Sequence, residues 1–159
     1  VSGTMAGCGA AGKALSLKRL LNDGKEFSPA IHSGGRMARV DFREMRRAIS
    51  GLAWRCGGII RSGEGIQEGL REIGSIEKAL QDARADSLLE RIAGEDLASA
   101  AFVVRAVLEA SLGRKESRGT FIRSDYPLQD DANWLKNSVI TYDEAGDRWH
   151  LRFEQAVSG

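Results

Sequence analysis

Cysteine, proline and histidine are all scarce in this chain, with two of each among 159 residues. Cys8 and Cys56 cannot build a disulfide framework, so a cytosolic, reduced protein held by its own core is expected. His32 and His150 stand alone, with no closely spaced Cys or His pair beside them, and a metal centre is therefore not expected. For the same reason no Ser/His/Asp or Cys/His nucleophile can be assembled, and Ser117 has no local base. A net charge of +1 supplies no field for nucleic acid or an anionic membrane surface. No apolar run approaches the length that spans a bilayer, so direct membrane insertion is not expected. The N-terminus lacks the basic start and apolar block of a signal peptide. Gly7 to Lys13 nearly spells a phosphate loop, but Ala14 stands where a magnesium-binding hydroxyl belongs and no hydrophobic strand precedes it.

What is present is an ordinary globular composition, 42% hydrophobic and 28% charged, in a chain long enough for one domain with a real core. Nineteen glycines are many for a helical domain, and the chain starts at Val1. Both features suit a piece of something larger. Residues 1–22 carry Met5, Cys8, Ala11 and Leu15 at helical spacing among small residues, which implies a helix packed very close to a partner. Residues 23–39, with Asp23-Gly24, Ser28-Pro29 and Ser33-Gly34-Gly35, read as a connector.

Residues 40–159 form the main unit. Asp41 is placed to cap a helix bearing Phe42, Met45, Ile49 and Leu52 on one stripe. Gly57-Gly58 and Ser62-Gly63 interrupt the pattern around Ile59-Ile60-Arg61. A second amphipathic helix is predicted from about Glu64 to Ala83, with Ile66, Leu70, Ile73, Ile76 and Leu80 facing one way. A third runs from Ser87 to about Leu112 on Leu97, Ala101, Val104, Leu108 and Leu112, with Gly94 a point of irregularity. Short turns between three such helices predict an antiparallel bundle. Val139–Tyr142 and Trp149–Phe153, joined through Ala145-Gly146, read as a small C-terminal β-hairpin. The fold class is mainly α: a three-helix bundle, an ordered Arg-rich loop and the hairpin.

The loop is the most informative stretch. Glu116 to Trp134 reads ESRGTFIRSDYPLQDDANW, too polar and too rich in turn formers for a core helix. Its arginines and carboxylates are interleaved so closely that bidentate pairing should pin it to a neighbouring surface. Glu116, Arg118, Arg123, Asp125, Tyr126 and Trp134 are the candidate anchoring residues, with no catalytic, cofactor-binding or metal-binding residue expected. Asp130-Asp131 could pass for an acid–base dyad, but as the first turn of a helix it is a cluster favourable to the macrodipole.

The same segment resembles the ESRG-x-H-x-R-x-DYP…DD-x-x-W-x-K signature of the C-terminal domain of succinate dehydrogenase and fumarate reductase flavoproteins. L-aspartate oxidases share its first half. The matching positions are Glu116, Ser117, Arg118, Gly119, Arg123, Asp125, Tyr126, Pro127, Asp130, Asp131, Trp134 and Lys136. Phe121 and Asn137 stand where the family has histidines. Upstream, Gly58 to Arg61 and Glu64 to Leu70 resemble the family's GIIR-x-x-E-G-L-x-E-G-L run, and VSGTMAGCGAA resembles the VFGRIAG-x-x-AA end of its FAD domain. The resemblance implies that residues 1–22 are the terminal helix of a truncated FAD domain and that the rest packs on the FAD and capping domains. It implies a parent that moves electrons between FAD and fumarate or succinate, partners an iron–sulfur subunit, and is cytoplasmic with membrane association through partner subunits. The fragment itself would hold no cofactor and be inactive. An L-aspartate oxidase C-terminus and a freestanding helical interaction module are the alternatives.

Overall fold

The computed structural model describes residues 40–156. The expected helix over 1–22, the connector over 23–39, Cys8, His32 and the Gly7–Lys13 stretch lie outside the described residues. Three long helices open the described fold: α1 (Phe42–Gly57), α2 (Gly63–Gln81) and α3 (Leu88–Gly113). Each starts on a side chain that accepts from orphan backbone N–H groups. Asp41 accepts from Arg43 at 2.8 Å and Glu44 at 3.3 Å, Ser62 from Gly65 at 3.1 Å, and Ser87 from Glu90 at 3.2 Å. Connectors of five and six residues join helices that pack pairwise, giving the bundle.

The apolar stripes converge on one core of Ile49, Leu52 and Cys56 from α1, Ile66, Ile73 and Leu80 from α2, and Leu97, Ala101 and Leu108 from α3. Phe42, Met45, Leu70, Ile76, Val104 and Leu112 pack around its edge and are partly exposed. Gly69 sets the α1–α2 approach: a Cβ there would sit 2.8 Å from the Cys56 Cβ and 3.1 Å from Leu108 Cδ1. The helix is one residue earlier at its start than its periodicity predicts, and ends at Gln81 rather than Ala83. Gly94 is buried inside an uninterrupted α3.

Ile59-Ile60-Arg61 is more than a break between helices. Ile60–Arg61 is a short strand, β1, paired in parallel with β2 (Ile122–Arg123) from the loop after α3. Ile122 N–H donates to the Ile59 carbonyl at 3.0 Å and Ser124 N–H to the Arg61 carbonyl at 2.8 Å. A single turn, α4 (Asp131–Trp134), then leads into β3 (Lys136–Asp143) and β4 (Arg148–Gln155). The two are antiparallel with Tyr142 opposite Trp149, and Asp147 takes a positive φ of 47° at the turn. The strands are longer than their apolar cores because the ladder continues through polar residues such as Asn137, opposite Glu154. Phe102 on α3 seats the hairpin, with ring centroids 5.2 Å from Tyr142 and 4.6 Å from Trp149. Among the described residues, no helix is long and apolar enough to cross a membrane.

Candidate functional site: a charge-saturated loop closing the bundle

The chain from Arg114 to Trp134 lies across the end of the bundle where α3 finishes and α2 begins. Two arginine–carboxylate centres organise it. In the first, Glu116 is fully buried. Arg118 grips it with Nε at 3.0 Å from Oε1 and Nη2 at 3.1 Å from Oε2, the Asp130 N–H donates to Oε2 at 3.1 Å, and Arg114 Nη1 donates to Oε1. Burial by itself pushes the Glu116 carboxyl up. The Arg118 hydrogen bond, the Asp130 N–H and the charges of Arg118 and Arg114 outweigh it, holding the carboxyl below its usual range. Arg118 also reaches Asp131 Oδ1 at 2.6 Å, and that bond, with one from Gln129, lowers the Asp131 carboxyl.

The second centre is Arg123, only 2% exposed. Its Nε and Nη2 take both oxygens of Asp125 at 2.8 and 2.7 Å, a parallel fork that a lysine cannot reproduce. Its Nη1 donates to the carbonyls of Ser111 at 2.7 Å and Arg114 at 2.9 Å, with Leu112 at 3.4 Å. These are the orphan acceptors at the end of α3, whose last turn carries no basic residue of its own. Arg123 therefore puts a cation on the negative end of a 26-residue helix from nine residues downstream. Asp125 does the converse at α2, accepting from the Gly63 N–H at 3.1 Å. Led by the Arg123 bond, these contacts take the Asp125 carboxyl from 3.8 to about 2.

Smaller devices hold the backbone between the centres. Ser117 Oγ accepts from the Arg123 N–H at 2.9 Å and donates to the Tyr126 carbonyl at 2.8 Å. Gly119 sits at φ +58° with open space around its missing Cβ, so its demand is conformational rather than steric. The Tyr126 ring lies 5.1 Å from the Arg123 guanidinium carbon, and Trp134 lies 5.7 Å from that of Arg114. Asp130 caps α4 through the Asn133 N–H at 3.1 Å.

The structure thus gathers Glu116 and Arg118 at one centre and Arg123, Asp125 and Tyr126 at the other, with Trp134 between the first centre and the hairpin. Two arginines that the anchoring set omits are as deeply engaged. Arg114 donates to Glu116, to the Trp134 carbonyl at 3.1 Å, to the Lys136 carbonyl and to Ser138 Oγ at 3.2 Å, tying loop to hairpin. Its two-residue spacing from Glu116 was the available signal. Arg61 donates to the Gly58 carbonyl and Ser111 Oγ, each at 2.5 Å, and lies 4.9 Å over the Phe121 ring. Phe121 thereby makes a cation–π contact that no local sequence pattern announces. His150 is exposed on β4, far in register from the loop.

Among the described residues, no group of three His, Cys, Asp or Glu side chains is disposed to hold a metal. The loop does not fit a flavin dinucleotide either. The guanidiniums of Arg114, Arg118 and Arg123 are occupied by acceptors of their own chain, leaving no fork for a pyrophosphate.

The described residues thus define a three-helix bundle whose end is closed by a carboxylate–arginine loop and a hairpin. Residues 46–158 match the family model described as fumarate reductase flavoprotein C-term, and the chain belongs to that family. It is 29% identical over 143 residues to a succinate dehydrogenase flavoprotein subunit of Rickettsia felis, covering 84% of this chain and 22% of that protein. Over a shorter span of 53 residues it is 45% identical to an 8-methylmenaquinol:fumarate reductase flavoprotein subunit of Wolinella succinogenes, covering 33% of this chain and 8% of that one. Among solved structures, an E. coli quinol fumarate reductase chain superposes with a TM-score of 0.70 at 18% identity, covering 91% of this chain and 24% of that one. The adenylylsulfate reductase of Archaeoglobus fulgidus superposes equally well, at 0.70 and 20% identity over 76% of this chain and 20% of that one. These structural likenesses establish the shared fold. The chain spans about a fifth of the length of the succinate dehydrogenase flavoprotein subunits it matches.

Proposed function

We propose that this chain is the non-catalytic C-terminal domain of an FAD-dependent oxidoreductase of the succinate dehydrogenase and fumarate reductase type, docking on the FAD and capping domains through the loop from Arg114 to Trp134. In this reading the parent transfers electrons between FAD and a small dicarboxylate, works with an iron–sulfur subunit, and meets the membrane through partner subunits. The observation that carries it is the saturation of the loop. Glu116, Asp125, Asp130 and Asp131 are each held by donors of their own chain, which suits a rigid docking element and not a proton-transfer site. The rim left outside is amphipathic: Tyr126 and Leu128 are exposed beside the Arg118–Asp131 pair. The hairpin and the Asp130-Asp131…Trp134…Lys136 continuation favour the dehydrogenase branch over an L-aspartate oxidase.

The test is made on the longer parent protein. Arg118→Lys and Arg123→Lys should lower flavin retention or dicarboxylate turnover, read as bound-FAD absorbance and initial rate. Unchanged flavin content and rate in both variants would remove the docking role. The chain alone, titrated with FAD and followed by flavin fluorescence, should show no stoichiometric binding; micromolar or tighter binding would overturn the accessory-domain reading.

A further inference from the structure

The outward face of α1 combines exposed arginines with an exposed tryptophan. Its buried side is Ile49, Leu52 and Cys56. At 100° per residue, Arg43, Arg47, Ser50, Gly51 and Trp54 fall on the opposite side, with the exposed Glu44 and Arg46 toward its two margins. Trp54 is 83% exposed, the most exposed large apolar side chain among the described residues. One turn before it, Gly51 lies in mid-helix with nothing within 4 Å of the position a Cβ would take. Glycine there weakens the helix and relieves no crowding within the described fold. The arginines are equally unmatched. Among the described residues no carboxylate lies within ion-pairing distance of Arg43, Arg46 or Arg47, whereas Arg55, on the flank, pairs with Glu72. Along the helix these features extend about 16 Å, three turns of contact surface.

We infer that this face of α1 is a docking surface for an acidic protein segment, whose apolar ridge lies on Gly51 against Trp54 while its carboxylates take Arg43, Arg46 and Arg47. Trp and Arg are among the residues most enriched as interface anchors, and a largely exposed Trp next to a bare stretch of helix backbone presents both an apolar wall and room for a partner side chain. Charge decides what that partner is. Residues 1–39 contain six cations, Lys13, Lys18, Arg19, Lys25, Arg36 and Arg39, against only Asp23 and Glu26, a charge balance that does not complement the face. A second copy would bring the same arginines back on themselves in a twofold contact. Nucleic acid is the weaker fit: three cations flanking an apolar ledge are few for phosphate-backbone binding, and nothing in the ledge requires a glycine for it. The inference goes beyond the accessory-domain reading, since it concerns a helix that takes no part in the Arg114–Trp134 loop.

The 159-residue chain can be tested against a synthetic helical peptide of about 20 residues with leucines along one face and glutamates flanking them. The Trp54 indole resonance, assigned with Trp54→Phe, and the amides of α1 are followed by NMR. The peptide should shift α1 selectively. Affinity should fall at least about tenfold when Arg43, Arg46 and Arg47 are reversed to Glu together, and should fall as salt is raised. Gly51→Leu should weaken binding while raising the melting temperature, which separates lost docking from lost folding. A polyglutamate peptide without leucines and an oligothymidylate should each bind at least about tenfold more weakly than the amphipathic peptide. Shifts confined to other surfaces, an affinity indifferent to the charge reversal, or an oligothymidylate that binds as tightly as the peptide would each overturn the inference.

Discussion

Arg123 offers the sharpest test of how the loop is built. Replacing it with alanine removes five hydrogen bonds, two to Asp125, two to α3 carbonyls and one to the carbonyl of Arg114 just past the helix, from a side chain that is 3% exposed. Breaking a buried ion pair from one side costs about 3–5 kcal/mol when the abandoned charge stays buried. Here the abandoned Asp125 side chain is 37% exposed and can rehydrate, which favours the lower end. The carbonyl of Ser111, accepting at 2.7 Å in the interior, cannot be rehydrated as easily and keeps part of the penalty in place. The expected loss is about 3 kcal/mol. Arg118→Ala should cost about 1 kcal/mol, because its side chain is 31% exposed and Glu116 keeps Arg114 and the Asp130 N–H. Arg152→Ala, which breaks a pair between side chains 63% and 53% exposed, is the control and should fall within about 0.5 kcal/mol of the parent sequence. Urea unfolding followed by circular dichroism at constant slope ranks the three. Equal losses for Arg123→Ala and Arg152→Ala would mean that Arg123 does not cap α3, and the account of the second centre would be wrong.

Three further outcomes follow from the same geometry. Acid should destabilise the fold in a defined window: the Asp125 carboxyl is depressed from 3.8 to about 2, so its contribution is complete above pH 4 and is lost as pH falls toward 2. Arg123→Ala should flatten that part of the curve, and an unchanged acid limb would disconnect Asp125 from the effect. Gly119→Ala should cost about 1 kcal/mol through its φ of +58° alone, since the added methyl meets nothing, and no loss in thermal unfolding would refute the strain argument. Leu108→Ala, at a fully buried site, should cost about 2–5 kcal/mol and exceed Leu70→Ala at the core's edge; the reverse order by denaturant titration would contradict the packing described.

The helices could be read from the sequence because their information is local. Asp41, Ser62 and Ser87 cap at the spacing their side chains require, and the stripes running through Ile49, Ile73 and Leu108 repeat within one element. The Arg-rich loop was visible as dense charge among turn formers, and its resemblance to a known signature named the surrounding domain. What could not be read was pairing across distance. β1 and β2 are two residues each, too short for any alternation, and they join positions 62 apart in the chain. Arg123 as the cap of α3, Arg61 over Phe121, and Phe102 beneath Tyr142 and Trp149 all arise only once the bundle has brought distant segments together. The edge residues Leu70 and Val104 share the apolar stripe with the core, and periodicity alone does not separate the two.

The parallel β1–β2 contact has a consequence for how the molecule opens. Together with the Asp125–Gly63 hydrogen bond, it fastens the start of α2 to the segment leaving α3, so residues 60–125 form a loop closed on itself without a covalent link. Neither α2 nor α3 can fray from that end unless the clasp is released. Amide exchange should report this as one cooperative unit running through both helices and the Ser117–Asp125 turn, exchanging at a common, high free energy. The hairpin is held chiefly by its own ladder, the aromatic contacts to Phe102 and the Arg114 bonds. It belongs to a second, lower-energy unit that can detach while the closed ring stays intact.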